Sequence, residues 1–405
     1  MRVSTAFNRM LAIEGASVTD VAFTDDGSVV TLRRRARRHR CPCGSIASGY
    51  DRSVRRWRHL DVAASKLWLE AEIWRVDCRS CGRVRTEDVP WARPRARHSR
   101  DFEDVVAWLT QRTDKTTTAT LLRCSWEAVD RIVGRVVADY LDEGRLDGLF
   151  HLGVDEIAYR RRHKYLTVVA DHDTGRVVWV AEGRTKAALA GFYDALGPER
   201  RDQIEAISMD MTSIYREATI EAIPDAVICL DPFHAMQWVN QALETVYRAT
   251  PLAELGLSGT RQFKNARTAL RTGQERLDDD QRSLVARIRR RRYGLWRAWE
   301  LKEQFRALYK SVDPTDARAY LKAWCTAALR SRIPAFRALA ARIRKHFDGI
   351  AAAVEWGLSN SRLEGINAKI RLINNRAHGH KTAAALTASI YLGLGGITVK
   401  LPTQR

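Results

Sequence analysis

Two aspartates sit where acidic residues seldom do. Asp155 lies within the apolar run His-Leu-Gly-Val-Asp-Glu-Ile (151–157), and Asp210 within Ile-Ser-Met-Asp-Met (207–211). Acids form strands poorly and rarely lie among apolar neighbours without a task. If the two strands are neighbours, their carboxylates converge, and like charges that close repel unless a cation lies between them. Oxygen ligands completed by water suit magnesium. Taken singly, each aspartate also reads as a strand-end or turn residue. Glu156 adjoins Asp155 but points to the opposite face of the strand, so only one of the two can be a ligand. The third candidate, Glu364, lies in Ser-Asn-Ser-Arg-Leu-Glu-Gly-Ile-Asn-Ala-Lys (359–369). On a helix, Leu363, Ile366, Ile370 and Ile373 form a stripe that packs on a sheet. Asn360, Glu364, Asn367 and Arg371 form a polar row beside it. One acid among amides and a cation suits a site holding metal and phosphate; a solvated helix face gives the same row.

Cys41, Cys43, Cys78 and Cys81 arrive as two knuckles, each followed by glycine. Four sulfurs in two close pairs suit tetrahedral zinc, and glycine lets the backbone turn away. The one-residue gap of the first pair is tighter than usual; two chance pairs of buried thiols are the alternative, and zinc is the favoured reading. Cys124, Cys229 and Cys325 sit in apolar contexts and read as core. Asp231-Pro232 has the form of a helix N-cap with proline at the first position. His234, one turn in, faces either a metal site or the core.

These residues need elements to hold them. Alternating runs at 18–23 and 28–32, split by Asp25-Asp26-Gly27, predict a hairpin, and residues 67–76 predict a strand leading to the second knuckle. From Ser99, a plausible N-cap, the period becomes helical. Residues 115–140 have the proportions of a helix-turn-helix: a short helix, a turn, and a long helix from Ser125 exposing Glu127, Asp130, Arg131 and Arg135. An ordinary helical hairpin has the same pattern. Strands are predicted over 151–157, 165–170, 176–182, 206–211 and 226–230, with helices over 186–196 and 213–222, which describes a mixed sheet with helices on its faces. After Asp231 the pattern is helical for over a hundred residues. That stretch includes the basic run 287–292, either a DNA contact or a solvated face, and Trp296, Trp299 and Trp324.

At 405 residues the chain suggests several domains, and 45% hydrophobic residues supply their cores. A net charge of +20, dominated by arginine, points to a polyanion, because each cation on a phosphate releases counterions. No run of about twenty apolar residues, signal peptide or lipidation motif is present. Nucleic acid is therefore the expected partner, not a membrane, and the expected location is cytoplasmic.

With these motifs in place the chain resembles the DDE transposases of bacterial insertion sequences, most closely the ISL-three group. The resemblance spans nearly the whole chain: the knuckles, the helix-turn-helix, Gly-Val-Asp-Glu, Met-Asp-Met, Asp231-Pro232-Phe233-His234, residues 295–303, and Arg362-Leu363-Glu364-Gly365-Ile366-Asn367. It implies a multidomain α+β chain: an N-terminal zinc-binding β-rich domain (1–97), a helix-turn-helix (98–147), and a ribonuclease H-like catalytic α/β domain (148–240 and 351–405). An all-helical insertion (241–350) interrupts the last of these. It implies that Asp155, Asp210 and Glu364 hold two magnesium (or manganese) ions roughly 4 Å apart. One ion activates water, then a DNA 3′-hydroxyl, and the other stabilises the leaving 3′-oxygen. Zinc would occupy the cysteine cluster. Arg131 and Arg135 would contact DNA from the helix-turn-helix, and Arg362, Asn367 and Lys369 from the Glu364 helix, with Asp231 and His234 as further active-site candidates. The partners implied are double-stranded DNA, as terminal inverted repeats and target, and further copies of the chain in a homodimer or larger oligomer. The competing readings are a non-catalytic zinc-finger and helix-turn-helix regulator, and a structure-specific nuclease.

Overall fold

Where apolar residues alternate the chain forms strands, and where they recur every three or four residues it forms helices. The computed structural model describes residues 2–160, 164–210, 213–251, 257 and 260–404. They group into two compact units, 1–142 with 370–405, and 143–369. The sequence places all of 351–405 with the catalytic part; the structure groups the final 36 residues (370–405) with the N-terminal unit.

In the first unit, α1 (Val3–Leu11) precedes β1 (Ala16–Thr24), β2 (Gly27–Arg34), β3 (His39–Arg40), β4 (Ile46–Val62), β5 (Ser65–Cys78) and β6 (Arg83–Thr86). The sheet order is β1-β2-β5-β4-β3, with β6 on β5. Leu67, Leu69, Ala71 and Ile73, every second residue of β5, are buried with Trp57 and Trp91 in one core. The helices α2 (Arg100–Thr110), α3 (Lys115–Leu121) and α4 (Trp126–Tyr140) follow. Each is capped by a side-chain oxygen on the first turn, from Ser99, Asp114 and Ser125 respectively. Val129, Ile132, Val133 and Val136 bury the inner face of α4.

The second unit begins with β7 (His151–Arg160), β8 (Lys164–Asp171) and β9 (Val177–Glu182), an antiparallel meander. Then come α5 (Lys186–Arg201, broken at Gly197-Pro198), β10 (Ala206–Met209), α6 (Ser213–Ala222) and β11 (Val227–Leu230). The sheet order is β11-β10-β7-β8-β9, and β10 runs parallel to both β7 and β11. The expected end of β10 at Met211 lies outside the described residues. Leu152, Val154, Ile207, Met209 and Leu230 pack beneath Leu189, Phe192, Tyr193 and Tyr215 of α5 and α6.

The chain is then helical: α7 (Pro232–Ala249), α8 (Thr260–Arg271), α9 (Asp279–Arg291), α10 (Tyr293–Ala307), α11 (Ala317–Arg330), α12 (Pro334–Lys345), α13 (Phe347–Glu355) and α14 (Ser361–Arg376). Trp299, Phe305, Trp324 and Phe336 anchor one core through α7–α13. Arg289, Arg290 and Arg291 form the last turn of α9, where cations oppose the helix dipole. Finally α15 (Ala383–Leu394) packs with the first unit, where Gln111 Nε2 donates to the carbonyls of Leu392 and Ile397.

Candidate active site and metal centre

The strand register puts the acids in a row. Gly153 of β7 pairs with Ser208 of β10, and Met209 of β10 with Leu230 of β11. Two residues beyond the first pair are Asp155 and Asp210, and one beyond the second are Asp210 and Asp231. All three therefore stand at one level on adjacent parallel strands. Asp210 and Asp231 lie just past their strand ends, where backbone is no longer committed to the ladder.

Asp155 accepts hydrogen bonds from its neighbour Glu156 N (2.8 Å) and from Asn367 Nδ2 (2.8 Å). Burial pushes its carboxyl up to about 6, and the charges of Glu156, Asp210 and Asp231 act in the same direction. Glu156 turns the other way, as strand alternation requires, and accepts from Arg184 Nη1 at 2.9 Å. His234 spans the other two acids, with Nδ1 3.0 Å from Asp231 and Nε2 3.2 Å from Asp210. The hydrogen bond its Nδ1 donates to Asp231, then the charge of Asp210, raises its pKa.

Asp231 corrects the sequence reading. It occupies the N-cap position of α7 with Pro232 after it, yet its side chain makes no capping hydrogen bond. The carboxylate is buried and turned to His234 Nδ1 and to the Asn360 backbone N–H (3.3 Å). Asp231 thereby ties α7 to the start of α14.

Asn360 is the hub of that junction. Its carbonyl accepts the Glu364 N–H (2.9 Å), its Nδ2 donates to Val154 O (3.2 Å), and its Oδ1 accepts from Ser208 Oγ (2.6 Å). Because the Ser208 hydroxyl proton is so engaged, His172 Nε2 donates to Ser208 Oγ at 2.7 Å. One turn on, Leu363 lies over Gly153 so closely that a Cβ there would fall 2.1 Å from Leu363 Cδ1. Only glycine permits that approach. His172 and Ser208 escaped the sequence reading, although Ser208 lies two residues before Asp210 and so shares its face.

Glu364 is exposed, in the polar row between Asn360 and Asn367, both of which touch the acid row's strands. Its oxygens do not converge with those of Asp155 and Asp210 to the tightness of a single-ion site. Among the described residues, only the four cysteines place three or more such donors all within 4.8 Å of one another. Two ions roughly 4 Å apart with oxygens at about 2.1 Å, however, span acids up to roughly 8 Å apart.

Several expected DNA contacts are otherwise engaged. Asn367 is buried and bonded to Asp155. Arg135 donates to the buried Glu103, within a cluster where Arg93 binds Glu103, Asp104 and Asp139. Arg362 donates to the His172 carbonyl from an otherwise exposed position. Arg131 and Lys369 are exposed. The apolar stripe of α14 also divides. Leu363 packs on the sheet as expected, whereas Ile373 packs against Gly393 of α15.

In the first unit the four cysteines come together without disulfides. The Cys41–Cys81 sulfurs are 3.8 Å apart and the Cys43–Cys78 sulfurs 3.6 Å. A tetrahedron with zinc–sulfur bonds of about 2.3 Å has edges of about 3.8 Å, so the donor set fits zinc despite the short first gap. Gly44 (φ 89°) and Gly82 (φ 63°) return their N–H groups to the carbonyls of Cys41 and Cys78 (both 2.8 Å), turning each knuckle back on itself.

The comparisons agree with this organisation module by module. Residues 37–81 match the zinc-finger of transposase IS204/IS1001/IS1096/IS1165, and residues 87–137 the helix-turn-helix domain of transposase family ISL3. Residues 152–390, more than half of the chain, match the transposase model of the same family. The transposase for insertion sequence element IS1557 of Mycobacterium tuberculosis is 39% identical, covering 99% of this chain and 98% of its own length. That for IS1001 of Bordetella parapertussis is 26% identical, covering 82% of each. A regulator lacking a catalytic part is thus not favoured, and no described helix is long and apolar enough to cross a membrane. The chain belongs to the ISL3 family of transposases, enzymes that cut and transfer DNA.

Proposed function

We propose that strand cleavage and strand transfer take place at the acid row of the second unit, with Asp155, Asp210 and Glu364 holding two divalent ions, nominally magnesium. The observation that carries this reading is the register that levels Asp155 with Asp210, with α14 laid across Gly153 beside them. The sheet order β11-β10-β7-β8-β9, three antiparallel strands followed by two parallel ones, supports a ribonuclease H-like domain. On this reading the helices between β11 and α14 are an insertion in it. The carboxylates suit hard cations: oxygen donors only, and an acid whose pKa is raised by burial and by the neighbouring acids. Bound there, such ions supply activation of the attacking oxygen and neutralisation of the leaving one.

The chain's own residues do the rest. Asn367 fixes the rotamer of Asp155, and His234 holds Asp210 against Asp231. Asn360 fixes the start of the helix that bears Glu364. The first unit binds the terminal inverted repeats, zinc holding the β3 and β5 ends together and α4 presenting Arg131. Action as a homodimer or larger oligomer in the cytoplasm completes the proposal. Metal-dependent nicking of the element's terminal repeats tests it: Asp155→Asn, Asp210→Asn and Glu364→Gln each lose at least about a thousandfold in rate while duplex binding persists. Nicking by all three at the unsubstituted rate overturns it.

A further inference from the structure

A groove runs along α7. It starts at Phe233, one residue before the bridging His234, and is lined on one side by Gln237, Asn240 and Gln241 and on the other by Arg267 and Arg271 of α8. Phe233 is 59% exposed, its ring set edge-on to the His234 imidazole at 5.6 Å. An aromatic ring this open, beside an acid centre, is an available stacking surface.

The groove is also positive. Glu244 is bonded to both Arg248 (2.9 Å) and Arg267 (2.7 Å), so one acid is shared by two cations. Arg271 has no carboxylate partner among the described residues. Phosphates match the arginines, but phosphate oxygens cannot stack on the exposed Phe233 ring. A nucleobase can: it has two π-faces, and donors and acceptors on its edge for Gln237 and Gln241. In a duplex those faces are hidden between neighbouring base pairs. Phe233, Gln237 and Gln241 also recur every four residues, roughly 6 Å apart along the helix. That exceeds the 3.4 Å rise of stacked nucleotides, so successive positions suit an extended, unstacked strand.

We infer that this groove binds unpaired nucleotides of the DNA strand leading away from the scissile phosphate, with a base stacked on Phe233, the amides on base edges and Arg271 on the backbone. Its placement beside the reacting phosphate rests on the acid-row reading above; its affinity for an unpaired strand does not.

The test uses the full-length chain without divalent ions and compares a blunt duplex with the same duplex carrying a short unpaired tail, of each polarity. The tailed duplex binds about tenfold more tightly, the usual worth of one stacked base. Phe233→Ala abolishes that preference and Phe233→Trp keeps it, while both bind the blunt duplex as the unsubstituted chain does, which shows that they fold. Arg271→Gln weakens binding of the tailed duplex alone and lowers its salt dependence by about one ion. Equal affinity of the unsubstituted chain for blunt and tailed duplexes overturns the inference, as does an unchanged preference in Phe233→Ala. Because no chemistry is measured, loss of the acid-row reading would leave the tail preference standing.

Discussion

Asp155 is at once the most strained ionisation in the site and the clearest probe of it. An unfolded aspartate ionises near pH 4, whereas burial holds this one at about 6. The folded, metal-free protein therefore keeps a proton that the unfolded chain has lost. Its stability falls as pH rises from about 4 to 6 and stays reduced above that, by roughly 2–3 kcal/mol. Asp155→Asn, which keeps the shape and an oxygen for Asn367, removes the effect. In chelator the variant gains about that much stability at pH 8 and nothing at pH 4, as chemical denaturation at the two values will show. Magnesium added at pH 8 stabilises the unsubstituted chain and not the variant, and its apparent affinity weakens as pH drops below 6 because a proton competes for the same oxygen. Asp155 and Asp210 are readable from sequence because an acid in an apolar strand contradicts its surroundings. Asp231 is not so readable: Asp-Pro looks like a cap, and only the fold shows that the carboxylate bonds the His234 side chain and the Asn360 N–H and not the backbone N–H groups of its helix.

At the scale of elements, the junction of β7 with α14 carries the account. The β strands and their hairpins follow from alternation and turn residues, and α5 stops being regular at Gly197-Pro198 for the reason any helix would. Tertiary partners are less legible. The stripe of α14 is continuous in sequence, and nothing in its periodicity tells that Leu363 meets Gly153 while Ile373 meets Gly393. Gly153→Ala tests that contact. The added methyl overlaps the Leu363 and His172 side chains, so both must give way between β7 and α14; nicking falls about a hundredfold and stability by about 1–3 kcal/mol. Pairing it with Leu363→Ala restores part of the rate, a rescue expected only if the two residues touch. The zinc knuckles are the second such junction. Chelation, or Cys78→Ser, releases one zinc per chain and unpins β3 from the end of β5, read by metal analysis and by loss of repeat binding, with α14 and the acid row intact.

Over the whole molecule, the net charge of +20 announces a polyanionic partner without saying which cations meet it. The sequence groups Arg131 and Arg135 together on one helix face. The structure separates them: Arg131 is exposed, while Arg135 neutralises Glu103 inside a buried ion cluster that no one-dimensional pattern reveals. The two arginines therefore fail differently when removed. Arg131→Ala lowers the logarithmic salt slope of duplex binding by about one and leaves the fold alone. Arg135→Ala leaves the slope unchanged but destabilises the unit by about 1–3 kcal/mol, since the buried Glu103 loses one of its two arginine partners. The central claim, that Glu364 acts with Asp155 and Asp210, is tested most directly by magnesium-dependent nicking of terminal-repeat DNA by Glu364→Gln beside the two aspartate variants. Loss of at least about a thousandfold in all three, with repeat binding retained, is the predicted result. Full nicking by Glu364→Gln, alongside inactive Asp155→Asn and Asp210→Asn, would contradict it and move the third ligand to Asp231.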